Sequence, residues 1–226
     1  MTGSPALFET MRVRHGALPL LDRHLRRLAV ATRRVGLAPP PASLESDARA
    51  RAGAGAPDRV LRVVWDGSRA EWEDRDTPGD EPLRLVTVAE VHPGYLVKAV
   101  ERDAFDRALD DARAAGGDEA LLLTAAGHVA ETARFALVWL DGDALRVPDP
   151  ALRVLPSVGL ARLIELAAAR ELPVLAGRFR RPALDGRPAA LVNAVRGVVP
   201  VSHLDGTQVP VAPVFTDLAG VFWPSA

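Results

Sequence analysis

The chain contains no cysteine, which excludes disulfides, thiolate metal sites and cysteine nucleophiles. It carries no excess of charge: 28 basic and 29 acidic side chains leave a formal net charge of −1, so the basic footprint that favours nucleic acid or an anionic membrane is missing. No run approaches the ~18 apolar residues that cross a bilayer. The opening residues Met1-Thr2-Gly3-Ser4-Pro5 have neither the basic region nor the apolar core of a signal peptide. A cytoplasmic protein with no nucleic-acid and no membrane partner is expected. Five scattered histidines show no metal-ligand spacing, so no metal is expected. There is no internal repeat and no low-complexity tract beyond Pro39-Pro40-Pro41.

Lysine is almost absent as well. Among the 28 basic residues only Lys98 is a lysine; wherever a positive charge or an aliphatic stem suffices, arginine stands. Arginine stays protonated, whereas a buried lysine amine can lose its proton and act as a nucleophile, a base or a Schiff-base former. The apolar run Tyr95-Leu96-Val97 before Lys98 desolvates the ammonium, which lowers an amine pKa. The bland alternative is a surface lysine that survived by chance.

What is present is a chain of 226 residues, 48% hydrophobic and 25% charged, the balance of a soluble globular protein rather than a disordered one. Alternation predicts a strand over Leu7 to Val13, and apolar periodicity a helix from Leu20 to Val35 ended by Gly36. A short helix capped by Ser43 follows, then antiparallel strands over Val60 to Trp65, Ala70 to Glu73 and Leu83 to Val91. His92-Pro93-Gly94 reads as a linker, dividing the chain into an N-terminal α+β domain, 1–91, and a C-terminal α+β domain, 92–226, that carries Lys98. In the second domain a helix from Asp103 to Ala115 precedes hairpins turning at Ala126-Gly127 and Asp141-Gly142. A helix from about Gly159 to Glu171 and short strands near Leu191-Val192, Val198 to His203 and Thr207 to Val209 complete it. Two α+β halves with a substrate crevice between them fit this order better than a repeating βαβ pattern.

Taken alone, Arg27 would be one of many arginines on a solvated helix face, and Glu131 an ordinary carboxylate after a turn. His24 and His128 read as packing or turn residues, and Trp65, Trp72, Trp139 and Trp223 as core or interface. In order, however, Phe8-Glu9-Thr10-Met11-Arg12-Val13, His24-Leu25-Arg26-Arg27-Leu28, Lys98, Asp118 to Leu123, Gly127-His128-Val129-Ala130-Glu131, Leu155-Pro156-Ser157-Val158-Gly159 and Asn193-Ala194-Val195 leading to Val199-Pro200-Val201 span most of the chain. Together they resemble the class IV (fold-type IV) pyridoxal-phosphate enzymes, which include branched-chain and D-amino-acid aminotransferases and 4-amino-4-deoxychorismate lyase. The resemblance implies a two-domain α+β fold of the D-amino-acid aminotransferase type, pyridoxal 5'-phosphate as cofactor, a small-molecule substrate and a homodimer. It makes Lys98 the Schiff-base lysine and the proton shuttle, Glu131 the carboxylate at the pyridine nitrogen, and Arg27 the phosphate grip. Val158 and Gly159 open a helix onto the phosphate, and Ala194 and Val195 offer it main-chain amides. Thr10, Arg12 and Arg102 fall to the substrate.

Some positions depart from the family pattern. The asparagine common five residues after the glutamate is Ala136, the phosphate-loop hydroxyl has moved to Ser157, and no tyrosine closely follows Lys98, leaving Arg102 nearby. The strand and glycine-rich turn that usually precede the Phe-Glu motif are missing, implying a shortened N-terminal domain. Three functions follow: a lyase making 4-aminobenzoate and pyruvate for folate synthesis, an aminotransferase acting on branched-chain or D-amino acids, or an inactive relative with a binding or structural role. The Asn193-Ala194-Val195 loop is more like the lyase, and retention of the lone lysine speaks against inactivity.

Overall fold

A computed structural model describes residues 6–224; the opening residues 1–5, read above for a signal peptide, lie outside them. The chain divides into two compact units. The first comprises the residues through Gly79, the segment Val97–Glu101 and the C-terminal residues from Trp223; the second comprises Asp80–Leu96 and Arg102–Phe222. The division at 91/92 read from the sequence therefore does not coincide with these units, because Lys98 packs with the first of them.

In the first unit β1 (Leu7–Val13), β2 (Arg59–Trp65) and β3 (Ala70–Arg75) form an antiparallel sheet in that order. Leu7, Met11, Val13, Leu61, Val63 and Trp65 are buried, the period-two face that a half-buried strand presents. Two helices, α1 (Leu21–Val35) and α2 (Ser43–Ala52), accompany the sheet. Helix α1 buries Leu21, His24, Leu28, Ala31 and Thr32, a stripe at helical spacing, and ends at Gly36, whose left-handed φ of 73° lets its N–H return to the Thr32 carbonyl. Ser43, expected to cap α2, is its first residue, and Ala42 occupies the cap.

The second unit holds β4 (Leu83–Val91), α3 (Asp103–Ala114), β5 (Glu119–Leu123), β6 (Val129–Thr132), β7 (Ala136–Asp141), β8 (Ala144–Pro148), α4 (Val158–Ala168), β9 (Val174–Gly177), β10 (Ala189–Asn193), β11 (Gly197–Leu204), β12 (Thr207–Gln208) and α5 (Pro213–Gly220). The sheet runs β6-β5-β4-β11-β10-β7-β8-β9, with β12 beside β11. It curls until the Val129 N–H meets the Phe179 carbonyl just beyond β9. Both expected hairpins are present, β5–β6 and β7–β8. Strand β4 corrects the sequence reading: it pairs parallel with β5 and β11 and not with β3. Inside the curl, Leu85, Leu121, Leu137, Trp139 and Leu191 make a core, with the Phe179 ring edge-on to Trp139 at 4.9 Å. Phe105, Ala108, Leu109 and Ala112 of α3 cover Ala120, Leu122 and Ala133 on the outer face.

One buried carboxylate fixes the turn after β6. Glu119, fully buried, accepts the Arg134 Nε–H at 2.8 Å and the Arg134 backbone N–H at 3.1 Å. Burial nonetheless pushes the Glu119 carboxyl above its ordinary pKa, with Arg134 opposing. The Thr132 hydroxyl closes the same turn on both the N–H and the carbonyl of Phe135, each at 3.0 Å. These bonds hold the segment in which Ala136 stands where the family often has asparagine. Arg134 reaches water while Glu119 does not, so the two partners should respond unequally. Arg134→Ala strands a buried carboxylate and should cost about 3–5 kcal/mol, against about 1–3 kcal/mol for Glu119→Gln; urea unfolding of both variants reads the order, and the reverse order would contradict this account.

Candidate active site

In the first unit, adjacent β1 and α1 bring together three charged or polar groups from the Phe-Glu and His-x-x-Arg motifs. Glu9 is buried. Its Oε2 lies 2.6 Å from His24 Nδ1, and Arg27 donates Nε–H to Oε1 at 2.8 Å and Nη2–H to Oε2 at 2.5 Å. Burial by itself would raise the Glu9 pKa, but the Arg27 guanidinium and the bonds from His24 and Arg27 outweigh it and hold the group down at about 2. Burial pushes His24 below its ordinary value, so the neutral ring donates from Nδ1. Arg27 is thus no solvated-face residue: its side chain is 14% exposed and forked onto Glu9. The pairing with Glu9 was not foreseen; what the sequence offered was only the order of the two motifs.

The Lys98 segment lies along the start of β1. Phe8 N–H donates to the Lys98 carbonyl at 2.9 Å, Val100 N–H to the Ala6 carbonyl at 2.8 Å, and Leu7 bridges Ala99. The half-buried Lys98 places Nζ 4.5 Å from the centre of the Phe8 ring, and Arg62 stands at the same distance from that ring. Arg62, on β2 directly opposite Thr10, was not singled out from the sequence. Arg12 is engaged with Asp58 at 3.0 Å. In the second unit Arg102 donates to the Ala133 carbonyl and faces Asp106 at 3.5 Å.

Also in the second unit, Glu131 lies one residue before the end of strand β6 in a buried position. Its Oε1 accepts His92 Nε2–H at 2.7 Å and Leu155 N–H at 3.0 Å. His92, read from the sequence as part of a linker, is buried beside it. His128 matches its turn reading: its N–H donates to the Thr124 hydroxyl and its carbonyl accepts the Thr124 N–H.

The segment Ser157-Val158-Gly159 starts α4, with the Ser157 hydroxyl accepting the Leu160 N–H at 3.2 Å as the cap. The shifted hydroxyl therefore serves the helix. A Cβ on Gly159 would lie 2.6 Å from the Asn193 carbonyl carbon and 2.7 Å from its Cα, so only glycine lets the α4 N-terminus touch the turn after β10. In that turn Asn193 Oδ1 accepts the N–H groups of Val195 and Arg196 at 2.9 and 2.8 Å. Val195, expected to offer its amide to a phosphate, spends it on Asn193. Among the described residues the amides of Val158, Gly159 and Ala194 donate no hydrogen bond, and the first two are the orphan donors of a helix start. Free N–H groups at a positive helix end suit a phosphate.

Over residues 6–204 the sequence matches amino-transferase class IV. The chain belongs to that family. No curated protein matches it. Among solved structures, a branched-chain aminotransferase from Thermoproteus uzoniensis with norvaline is similar with a TM-score of 0.87 and 22% identity, over 97% of this chain and 84% of that one. A putative 4-amino-4-deoxychorismate lyase is similar at 0.84 and 26%, over 99% and 92%. A hypothetical aminotransferase from Mycobacterium tuberculosis, PLP-bound, is similar at 0.86 and 21%, over 97% and 89%. Class IV enzymes use pyridoxal 5'-phosphate, and the donor chemistry here fits that group: a lone amine, a buried carboxylate with one oxygen engaged, and a glycine-enabled amide cradle. Among the described residues no cluster of His, Asp or Glu could hold a metal ion, and no helix is long and apolar enough to cross a membrane.

The depressed Glu9 carboxyl gives this chain a stability contribution that acid removes. A carboxylate held below its unfolded value stabilises the folded state above that value and loses the contribution as pH falls through the folded one. For Glu9 that window runs from 4.5 down to about 2. The depressed His24 acts in the same sense at higher pH, since the unfolded chain takes up its proton more readily. Thermal unfolding should therefore fall as the solution is acidified, and Glu9→Gln should flatten the limb below pH 4.5. An unchanged limb in Glu9→Gln would remove Glu9 as its source.

Proposed function

We propose that the protein is a pyridoxal-phosphate-dependent lyase that converts 4-amino-4-deoxychorismate to 4-aminobenzoate and pyruvate, a step of folate synthesis. The observation that carries the reading is the turn after β10: Asn193, the residue that distinguishes this loop from the Gly-Thr-Ala type common in the transaminases, folds it by accepting two backbone N–H groups. The similarity to a putative lyase over 99% of this chain points the same way.

Bound, the cofactor supplies an electron sink for the carbanion formed at the amine-bearing carbon of the substrate. Lys98 would hold the cofactor through its amine, and that amine, once free, would take the proton from the amine-bearing carbon. Glu131 would accept the N–H of the pyridine nitrogen. Arg27, oriented by Glu9 in the first unit, and the amides of Val158, Gly159 and Ala194 in the second are the groups that would serve a phosphate. Thr10 and Arg62, opposite one another on β1 and β2, are assigned to the anionic substrate. Arg62 also reaches Glu73 at 3.3 Å, and Arg12 and Arg102 are engaged with Asp58 and with Ala133 and Asp106, so Arg12 and Arg102 stand beside it as candidates for this role.

An aminotransferase is the second reading, favoured by the overall likeness to the branched-chain enzyme. Purified protein loaded with cofactor should show a visible band that borohydride abolishes, leaving the reduced cofactor on the Lys98 peptide. Lys98→Arg keeps the charge but cannot shuttle a proton, and should lower turnover at least about a hundredfold. Pyruvate and 4-aminobenzoate formed from 4-amino-4-deoxychorismate select the lyase; glutamate formed from branched-chain or D-amino acids with 2-oxoglutarate selects the transaminase. Reduced cofactor found elsewhere than Lys98 would defeat both.

A further inference from the structure

The residue beside Glu131 has a fixed protonation pattern. Gly94 N–H points at His92 Nδ1 at 3.2 Å. A backbone amide can only donate, so Nδ1 is the bare nitrogen and the proton of the neutral ring sits on Nε2. That proton is given to Glu131 Oε1 at 2.7 Å. The edge of the His92 ring rests on Phe105, with centroids 5.8 Å apart, an apolar neighbour that offers no competing partner. The second donor to Oε1, Leu155 N–H at 3.0 Å, comes from the segment whose Arg153 carbonyl accepts Tyr95 N–H at 2.7 Å. One clamp between residues 92–95 and 153–155 thus delivers both donors. Gly94 allows it by adopting φ of +76°, and a Cβ there would press on the Arg153 side chain at 3.1 Å.

Two donors on one oxygen orient the carboxylate and leave Oε2 with no hydrogen bond among the described residues. We propose that His92 is a positioning residue: by occupying Oε1 it fixes the rotation of the Glu131 carboxylate and reserves Oε2 to accept the proton-bearing nitrogen of a pyridinium ring. The proposal rests on the assignment of Glu131 to the cofactor made above. Without His92, Oε1 loses the donor that orients it, Oε2 is no longer held toward the ring, and the ring nitrogen gives up its proton more readily.

The test is the 15N resonance of ring-labelled pyridoxal phosphate bound to the parent, to His92→Phe, to His92→Gln and to Glu131→Gln, each followed across pH. The parent should show a protonated ring nitrogen. His92→Phe preserves the ring on Phe105 but not the donor, and should lower the ring-nitrogen pKa by about one to two units, the equivalent of one hydrogen bond to a charged group. His92→Gln, whose amide N–H falls near the Nε2 position, should restore most of the shift. Glu131→Gln should lose ring protonation as well. If Glu131→Gln shifts the resonance and His92→Phe does not, His92 has no part in it; if Phe and Gln at position 92 shift it equally, the effect is packing alone, and the proposal fails either way. A parent-like resonance in Glu131→Gln refutes the assignment of Glu131 itself and the proposal with it. Should His92→Phe not fold, His92→Asn takes its place, since its shorter amide reaches the Nδ1 position but not Glu131.

Discussion

A carboxylate removed from water must be given donors by the protein, or its desolvation costs several kcal/mol. Three buried glutamates impose that constraint on this chain. Glu9 draws α1 onto β1 through His24 and Arg27; Glu119 pins the turn that follows β6 through Arg134; Glu131 collects donors from the segments around His92 and Leu155. Each ties together stretches far apart in sequence, and each sits within one compact unit. Apolar burial makes the units compact, while these charges select the registry in which the elements meet.

The near-exclusive use of arginine suits this arrangement. A planar guanidinium can satisfy both oxygens of a buried carboxylate, as Arg27 does for Glu9, with less freedom lost per bond than an ammonium would lose. Lys98 is the exception, and its Nζ lies 4.5 Å from the centre of the Phe8 ring. The distribution of the two cations follows their chemistry: arginine where charge must stay, lysine where an amine has to react.

Strands with a clean alternation and helices with a clear stripe were legible in the sequence, and β1 and β4 have the bounds that alternation predicts. Partnership was not. The polar stretch after β3 could have led into a hairpin, and nothing local marks it as the passage to a parallel pairing of β4 with β5 and β11. Strand β9 escaped because its four residues show no alternation in burial, and α5 because its proline at the first helical position looks like the end of an extended run. At the site, Lys98 stood out by its uniqueness and Glu131 by its motif. His92 did not, because His-Pro-Gly reads as a break, and the bond that matters reaches across to a strand closed by a later hairpin. Val195 shows the converse: its motif matched, yet its amide is consumed by the asparagine two residues earlier.

The ribbon passes back and forth between the two units. It leaves the first after Gly79, returns for Val97–Glu101, leaves again, and comes home with Trp223. On a ribosome, β1 and β2 emerge early, but the five-residue piece bearing the amine arrives only once Glu101 has been made. The first unit thus cannot be completed as an autonomous N-terminal fragment. Gene truncation at Gly79 would yield a sheet lacking the segment that lines its first strand, and complementation with the remainder would have to thread that segment back into place. Splitting this protein for reporter or assembly purposes is accordingly better attempted in a surface hairpin such as the one at Asp141-Gly142, where a nick leaves both crossings intact.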